Sequence, residues 1–221
     1  MTDLSGAEPL ADEAVDVEVV RSETPFVGRV WNIRRDELAY NGTSIVREYM
    51  DHTGAVAVFA LDENDRVLLI KQYRHPVRLR DWEIPAGLLD IGGESPLVAA
   101  QRELAEEADL VAASWHVLGE FMTSPGGSDE TIRIYLARDL RAADETFARE
   151  AEEADIEVRW VPLDEVVDAV LARRVQNPSL VVGTLAAHAS RARDWVTLAP
   201  GDAPWPRRSR RIGEDGSGFA R

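Results

Sequence analysis

The sequence predicts an α/β fold with a mixed sheet. Three observations predict it. Segments of strand character alternate along the chain with segments of helical period, rather than standing in separate blocks. Residues 54–61 (GAVAVFAL) are an unbroken apolar run that reads as a buried strand. Neither a Rossmann glycine fingerprint nor a P-loop is present.

The elements follow in order. Residues 1–16 read as a disordered acidic arm. Residues 17–50 carry short strands (VEVV, FVGRVWNIRRDEL, SIVREYM) and predict an N-terminal antiparallel strand region. The buried run at 54–61 leads through a DEND turn into RVLLIKQ at 66–72, a hairpin signal. Residues 82–89 predict one short strand, ending in a loop that contains Gly92 and Gly93.

The clearest helix start in the chain follows. Ser95 suits the N-cap, and Pro96 suits the first helical position. Leu97, Ala100, Leu104 and Ala108 form an apolar stripe, with Arg102, Glu103, Glu106 and Glu107 off it. Residues 117–122 and 131–137 predict strands joined by the loop TSPGGSDE. Residues 138–154 read as a polar, acidic loop, 156–161 as a strand, and 162–173 and 178–195 as helices. Residues 199–221, rich in Pro, Gly, Ser and Arg, read as a flexible tail. Residues 51–198 are left as the main domain.

Composition narrows the function. A formal net charge of −15 repels a nucleic-acid backbone, so general DNA or RNA binding is not expected. The chain has no cysteine, which excludes disulfides, thiolate metal sites and a cysteine nucleophile and fits a cytoplasmic protein. The first residues are acidic and lack the basic region of a signal peptide. No apolar run is long enough to cross a bilayer as a helix, so no membrane partner is expected. The four histidines are scattered, with none at metal-ligand spacing from another, and no nucleophile elbow occurs.

Glu103 and Glu107 are four apart on the predicted helix, so they share one face, with Glu106 beside them. Alone, such a pair is ordinarily a solvated charged face. Carboxylate oxygens so clustered also suit a hard divalent cation.

The surrounding pattern favours the cation. Gly87 through Glu94, then seven residues, then Arg102-Glu103-Leu104-Ala105-Glu106-Glu107, resembles the Nudix box, G-x5-E-x7-R-E-U-x-E-E-x-G-U. Two departures stand out: six residues rather than five separate Gly87 from Glu94, and Asp109 replaces the last glycine. Aspartate tolerates the left-handed conformation that this glycine usually supplies. KQYRH at 71–75, WEIPAGLLD at 82–90 and Pro125 in SPGGSDE resemble the ADP-ribose pyrophosphatase branch of the family.

The resemblance implies a Nudix fold, a mixed β-sheet sandwiched between helices. It implies Mg²⁺, with Mn²⁺ as a substitute and two or three ions, held by Glu103, Glu106, Glu107 and the carbonyl of Ala86. Gly87, Glu94 and Arg102 would shape the box, with Glu94 bracing loop and helix through Arg102. It implies a general base on a late acidic loop, assigned to Glu153 with Glu152 as runner-up, and it counts the metal ligand Glu103 among the catalytic residues. Arg74, Leu88, Asp129 and Glu130 are substrate-binding candidates, with Arg47 and Arg133 second to Arg74 for the phosphate or ribose, and Trp31 is a candidate to stack on adenine. Relatives of the branch form homodimers that exchange N-terminal strands. The implied reaction is hydrolysis of ADP-ribose to AMP and ribose 5-phosphate. GDP-mannose or ADP-glucose is the alternative substrate, and a non-catalytic ADP-ribose sensor is the alternative class.

Overall fold

The computed structural model describes residues 9–144, 155–206 and 208. The chain divides into two compact units, Met1–Asp51 and His52–Arg221.

The first unit holds β1 (Glu18–Val27), β2 (Asn32–Tyr40) and β3 (Thr43–Asp51), paired antiparallel in that order. Asn41 and Gly42 both take positive φ and close the β2–β3 hairpin, as the sharp turn demands. None of the described residues of this unit is buried. Its sheet therefore has no core of its own.

The second unit is built on β4 (Ala55–Ala60), β5 (Arg66–Arg74), β6 (Leu79–Glu83), β7 (Ala86–Leu88), β8 (Leu110–Met122), β9 (Thr131–Ala142), β10 (Glu157–Pro162) and β11 (Ala199–Pro200). Its helices are α1 (Pro96–Ala108), α2 (Leu163–Leu171) and α3 (Pro178–Arg191). One sheet has the order β11-β8-β9-β4-β7; a second has the order β10-β5-β6. The larger sheet is mixed, since β4 runs parallel to β9 and antiparallel to β7.

The unbroken apolar run has a clear reason. Ala55, Ala57 and Phe59 enter a core with α2 and α3, while Val56, Val58 and Ala60 enter another with α1. A strand covered on both faces has no solvent side to place polar residues on. Among the described residues no helix is long and apolar enough to cross a membrane.

The structure corrects several local expectations. The hairpin at 54–72 is not a paired ladder. The turn closes, with Asp62 N–H donating to Arg66 O at 3.0 Å, but only the Leu61–Val67 bridge joins the two strands. They then diverge into different sheets. The expected strand at 82–89 is likewise two strands, because Ile84 and Pro85 carry the chain from the smaller sheet to the larger. Residues 138–142 continue β9 instead of starting a loop, because β8 begins directly after α1 and Leu110 pairs with Ala142.

The segment expected to be a flexible tail from residue 199 starts as a packed strap. Ala199 and Pro200 pair with Val117 and His116. Arg133 donates to the carbonyls of Ala203 and Pro204 at 2.7 and 2.8 Å, and its guanidinium lies 4.7 Å from the Trp205 ring centroid. Trp205 is buried in the same core as Ala100 and Leu104 of α1. The low-complexity composition hides this, because one tryptophan with a cationic partner outweighs its polar neighbours.

Candidate active site

The helix is positioned by its caps. Ser95 accepts from Val98 N–H, Pro96 opens α1, and Asp109 ends it in the left-handed conformation at φ 53°. The Asp109 N–H reaches back to the carbonyls of Ala105 and Leu104. Aspartate thus does at this position what glycine does in the family pattern.

Glu107 departs from the expected exposed face, at 5% exposure. A buried carboxylate needs a partner. Glu107 Oε2 accepts from Ala86 N–H at 2.8 Å. β7 is the edge strand of the larger sheet, and an edge strand leaves outward N–H groups unpaired by the sheet. The helix therefore caps the sheet edge with a charge, which fixes the distance from α1 to Ala86 and Gly87.

Glu103 lies against the same strand. A Cβ built on Gly87 would overlap the Glu103 carboxylate and its Cγ. The first glycine of the box is thus a matter of close approach, not of backbone freedom.

Arg102 organises the remaining acids. It donates from Nε and Nη2 to both oxygens of Glu94, at 3.0 and 3.1 Å. Its Nη1 donates to Glu103 at 2.6 Å and to Glu106 at 3.0 Å. These bonds, that to Glu94 foremost, raise the guanidinium pKa above its already high ordinary value, against the opposing effect of burial. The loop before α1 is thereby tied to the middle of the helix, and one cation spans three carboxylates.

Among the described residues no three acidic or imidazole side chains converge as a ready metal centre. The donors that do gather are oxygens: Glu103, Glu107 and the backbone at Ala86–Gly87, with Glu106 adjacent. That donor chemistry, and a glycine cradle that keeps Glu103 against the strand, fit a hard divalent cation.

The other candidates fall in separate places. Arg74 grips Glu83, with Nε and Nη2 each 2.7 Å from a carboxylate oxygen, and Glu83 is buried. Asp129 accepts from His52 N–H at 2.9 Å, and Glu130 accepts from the Thr123 hydroxyl at 2.6 Å. Leu88 sits at the end of β7, opposite Ala55. Arg133 is buried between Glu120 and the strap. Arg47 and Trp31 belong to the first unit, where Arg47 is exposed on β3 and Trp31 lies between β1 and β2. Glu152 and Glu153 lie outside the described residues. Sequence reasoning gave no role to His52, Glu83, Glu120 or Trp205. Each works through a partner on another element, so no spacing within one element marks it.

The chain is similar to known proteins over most of its length. Residues 51–180 match the NUDIX domain. The chain is 44% identical over 175 residues to the ADP-ribose pyrophosphatase of Mycobacterium tuberculosis, covering 79% of this chain and 84% of that protein. It is 34% identical over 167 residues to the ADP-ribose pyrophosphatase of Bacillus subtilis, covering 75% and 89%. Among solved structures it resembles one described as an ADP compounds hydrolase, with a TM-score of 0.69 over 84% of this chain and all of that one. At 22% identity, that likeness concerns the fold alone.

Proposed function

This chain belongs to the NUDIX family, and on that premise we propose that it hydrolyses the diphosphate bond of ADP-ribose, releasing AMP and ribose 5-phosphate. The observation that carries the reading is the placement of the Glu103 and Glu107 carboxylates against the Ala86–Gly87 backbone. The relatives named for ADP-ribose, similar over most of the chain, choose the substrate.

Glu103, Glu106, Glu107 and the Ala86 carbonyl would hold Mg²⁺ or Mn²⁺. Such an ion neutralises diphosphate charge and makes a bound water acidic enough to serve as nucleophile at neutral pH. The protein's own part is positional. Arg102 and Glu94 fix the loop against the helix, and the capped helix keeps the carboxylates rigid. Glu153 is the proposed base: it takes the water proton as the new P–O bond forms and the bond to the bridging oxygen breaks. Replacing Glu153 with Gln is then expected to cut kcat at least 100-fold and leave metal affinity unchanged.

We also infer a homodimer joined through the N-terminal sheet. Phe26 and Val27 of β1 are 61% and 74% exposed, and the sheet has no buried residue of its own among those described. A three-stranded sheet in that state gains a hydrophobic face by pairing with another. Light scattering on the whole chain and on Phe26→Asp checks this. A monomer in the unaltered protein overturns it.

The deciding experiment for the reaction is an AMP-release screen over nucleoside diphosphate sugars, with and without Mg²⁺. Metal-dependent AMP from ADP-ribose is expected. Absence of metal-dependent release from every substrate overturns the hydrolase reading. A clear preference for GDP-mannose overturns only the substrate.

A further inference from the structure

His52, just before β4, has a ring only 4% exposed, and both of its nitrogens are engaged. Gly54 N–H donates to Nδ1 at 3.0 Å. A ring nitrogen that accepts carries no proton, so the proton of the neutral imidazole sits on Nε2. Nε2 lies 3.1 Å from Glu130 Oε1. The other oxygen of Glu130 accepts from Thr123, and the backbone N–H of His52 donates to Asp129. One residue thus holds both acids of the loop between β8 and β9.

The same short turn touches the other side of the site. Gly54, at φ +80°, allows the chain to fold back onto the His52 ring, and its carbonyl accepts from Leu89 N–H at 3.0 Å. Ala55 pairs with Leu88 on one side and Ile132 on the other. The 123–130 loop therefore ends level with β7, the strand that carries Gly87, with β4 between them. One buried imidazole thus bonds Glu130 on one side and, on the other, the turn whose carbonyl accepts from Leu89 N–H.

We propose that His52 is a positioning residue for the substrate: its Nε2–H fixes Glu130, and through it the 123–130 loop, at the rim of the site where a nucleoside diphosphate sugar is gripped. It acts on binding and takes no part in proton transfer to the reacting atoms. The inference rests on the hydrolase reading above.

Two substitutions separate the ring's two bonds. His52→Asn keeps an acceptor for Gly54 N–H but cannot reach Glu130, whereas His52→Gln places an amide donor near the Nε2 position. With ADP-ribose and Mg²⁺, His52→Asn is expected to raise KM about tenfold with kcat within about twofold, and His52→Gln to recover most of the loss. Glu130→Ala should raise KM by a similar factor, and adding His52→Asn to it should raise KM no further. Should His52→Asn not fold, Glu130→Ala carries the kinetic test.

Two measurements are independent of turnover. Long-range ¹H–¹⁵N spectra of the unaltered protein should show His52 as the Nε2–H tautomer, and amide exchange across Thr123–Glu130 should accelerate in Glu130→Ala. An Nδ1–H ring, or an unchanged KM in an active His52→Asn or Glu130→Ala enzyme, overturns the proposal. If the unaltered protein cleaves no nucleoside diphosphate sugar, the hydrolase reading itself has failed. The spectra and exchange then show whether the loop tie exists without it.

Discussion

The Glu103 carboxylate occupies the space that a Cβ on Gly87 would fill. The two residues are sixteen apart in sequence, and their contact joins the edge strand of the larger sheet to the middle of α1. Gly87→Ala is therefore expected to act on function more than on stability. The end of a glutamate side chain can rotate away from a new methyl group, but in doing so it leaves the site. We expect kcat/KM to fall about 100-fold while overpacking costs no more than about 1–3 kcal/mol. Activity assays beside urea unfolding separate the two. Loss of folding with retained specific activity would contradict the assignment.

Arg102 is expected to be intolerant even of lysine. Its planar fork meets both oxygens of Glu94 while Nη1 reaches Glu103 and Glu106, which an ammonium cannot reproduce. Arg102→Lys should cost about 1.5–3 kcal/mol, the range for hydrogen bonds to charged groups. Arg102→Ala should cost more, because three carboxylates lose their shared cation. In that variant added Mg²⁺ should restore more thermal stability than it adds to the unaltered protein. Equal Mg²⁺ effects on both proteins would argue against the cluster as a cation site.

Two aspartates should give opposite pH signatures. Burial alone would raise the Asp62 pKa, but N–H groups of Arg66 and Asn64 and the Arg66 guanidinium outweigh it and hold the pKa below the ordinary range. A depressed pKa means stability that is present above the ordinary aspartate range and lost on acidification. Asp62→Ala should lower Tm at pH 7, and the gap should close as pH falls through that range.

Asp81 is the reverse case. Burial, then the charge of Glu83, raises its pKa, partly offset by a hydrogen bond from Asn177 and by Arg74. A raised pKa means stability that is present in acid and lost as pH rises through the folded-state value. Asp81→Asn should raise Tm at pH 7, with the gain vanishing in acid. Melting curves of both variants from pH 3 to 8 check the signs.

Trp205→Ala removes a buried indole that packs beside Ala100 and Leu104 and under Arg133. Large-to-small changes of this kind cost about 3–5 kcal/mol. Ending the chain after Leu198 should cost at least as much, since Arg133 also loses the carbonyls of Ala203 and Pro204. If both variants unfold at the same denaturant concentration as the full chain, the strap contributes nothing to stability.

The sequence by itself determined the short-range features. The α1 start at Ser95–Pro96, its left-handed stop at Asp109 and the buried β4 all stand as read. Each depends on a residue and its neighbours within a turn or two, where cap chemistry and apolar spacing act directly. Only the tertiary structure decided the rest. It sent β4 and β5 into different sheets despite their hairpin turn, and it buried Glu107 against an edge-strand N–H. It engaged Arg74 with Glu83 and tied Glu130 to His52, 78 residues away. The physical reason is common to all four. A strand's partner and a buried charge's counterpart are chosen by which distant groups arrive unsatisfied at the same place, and no local pattern carries that information.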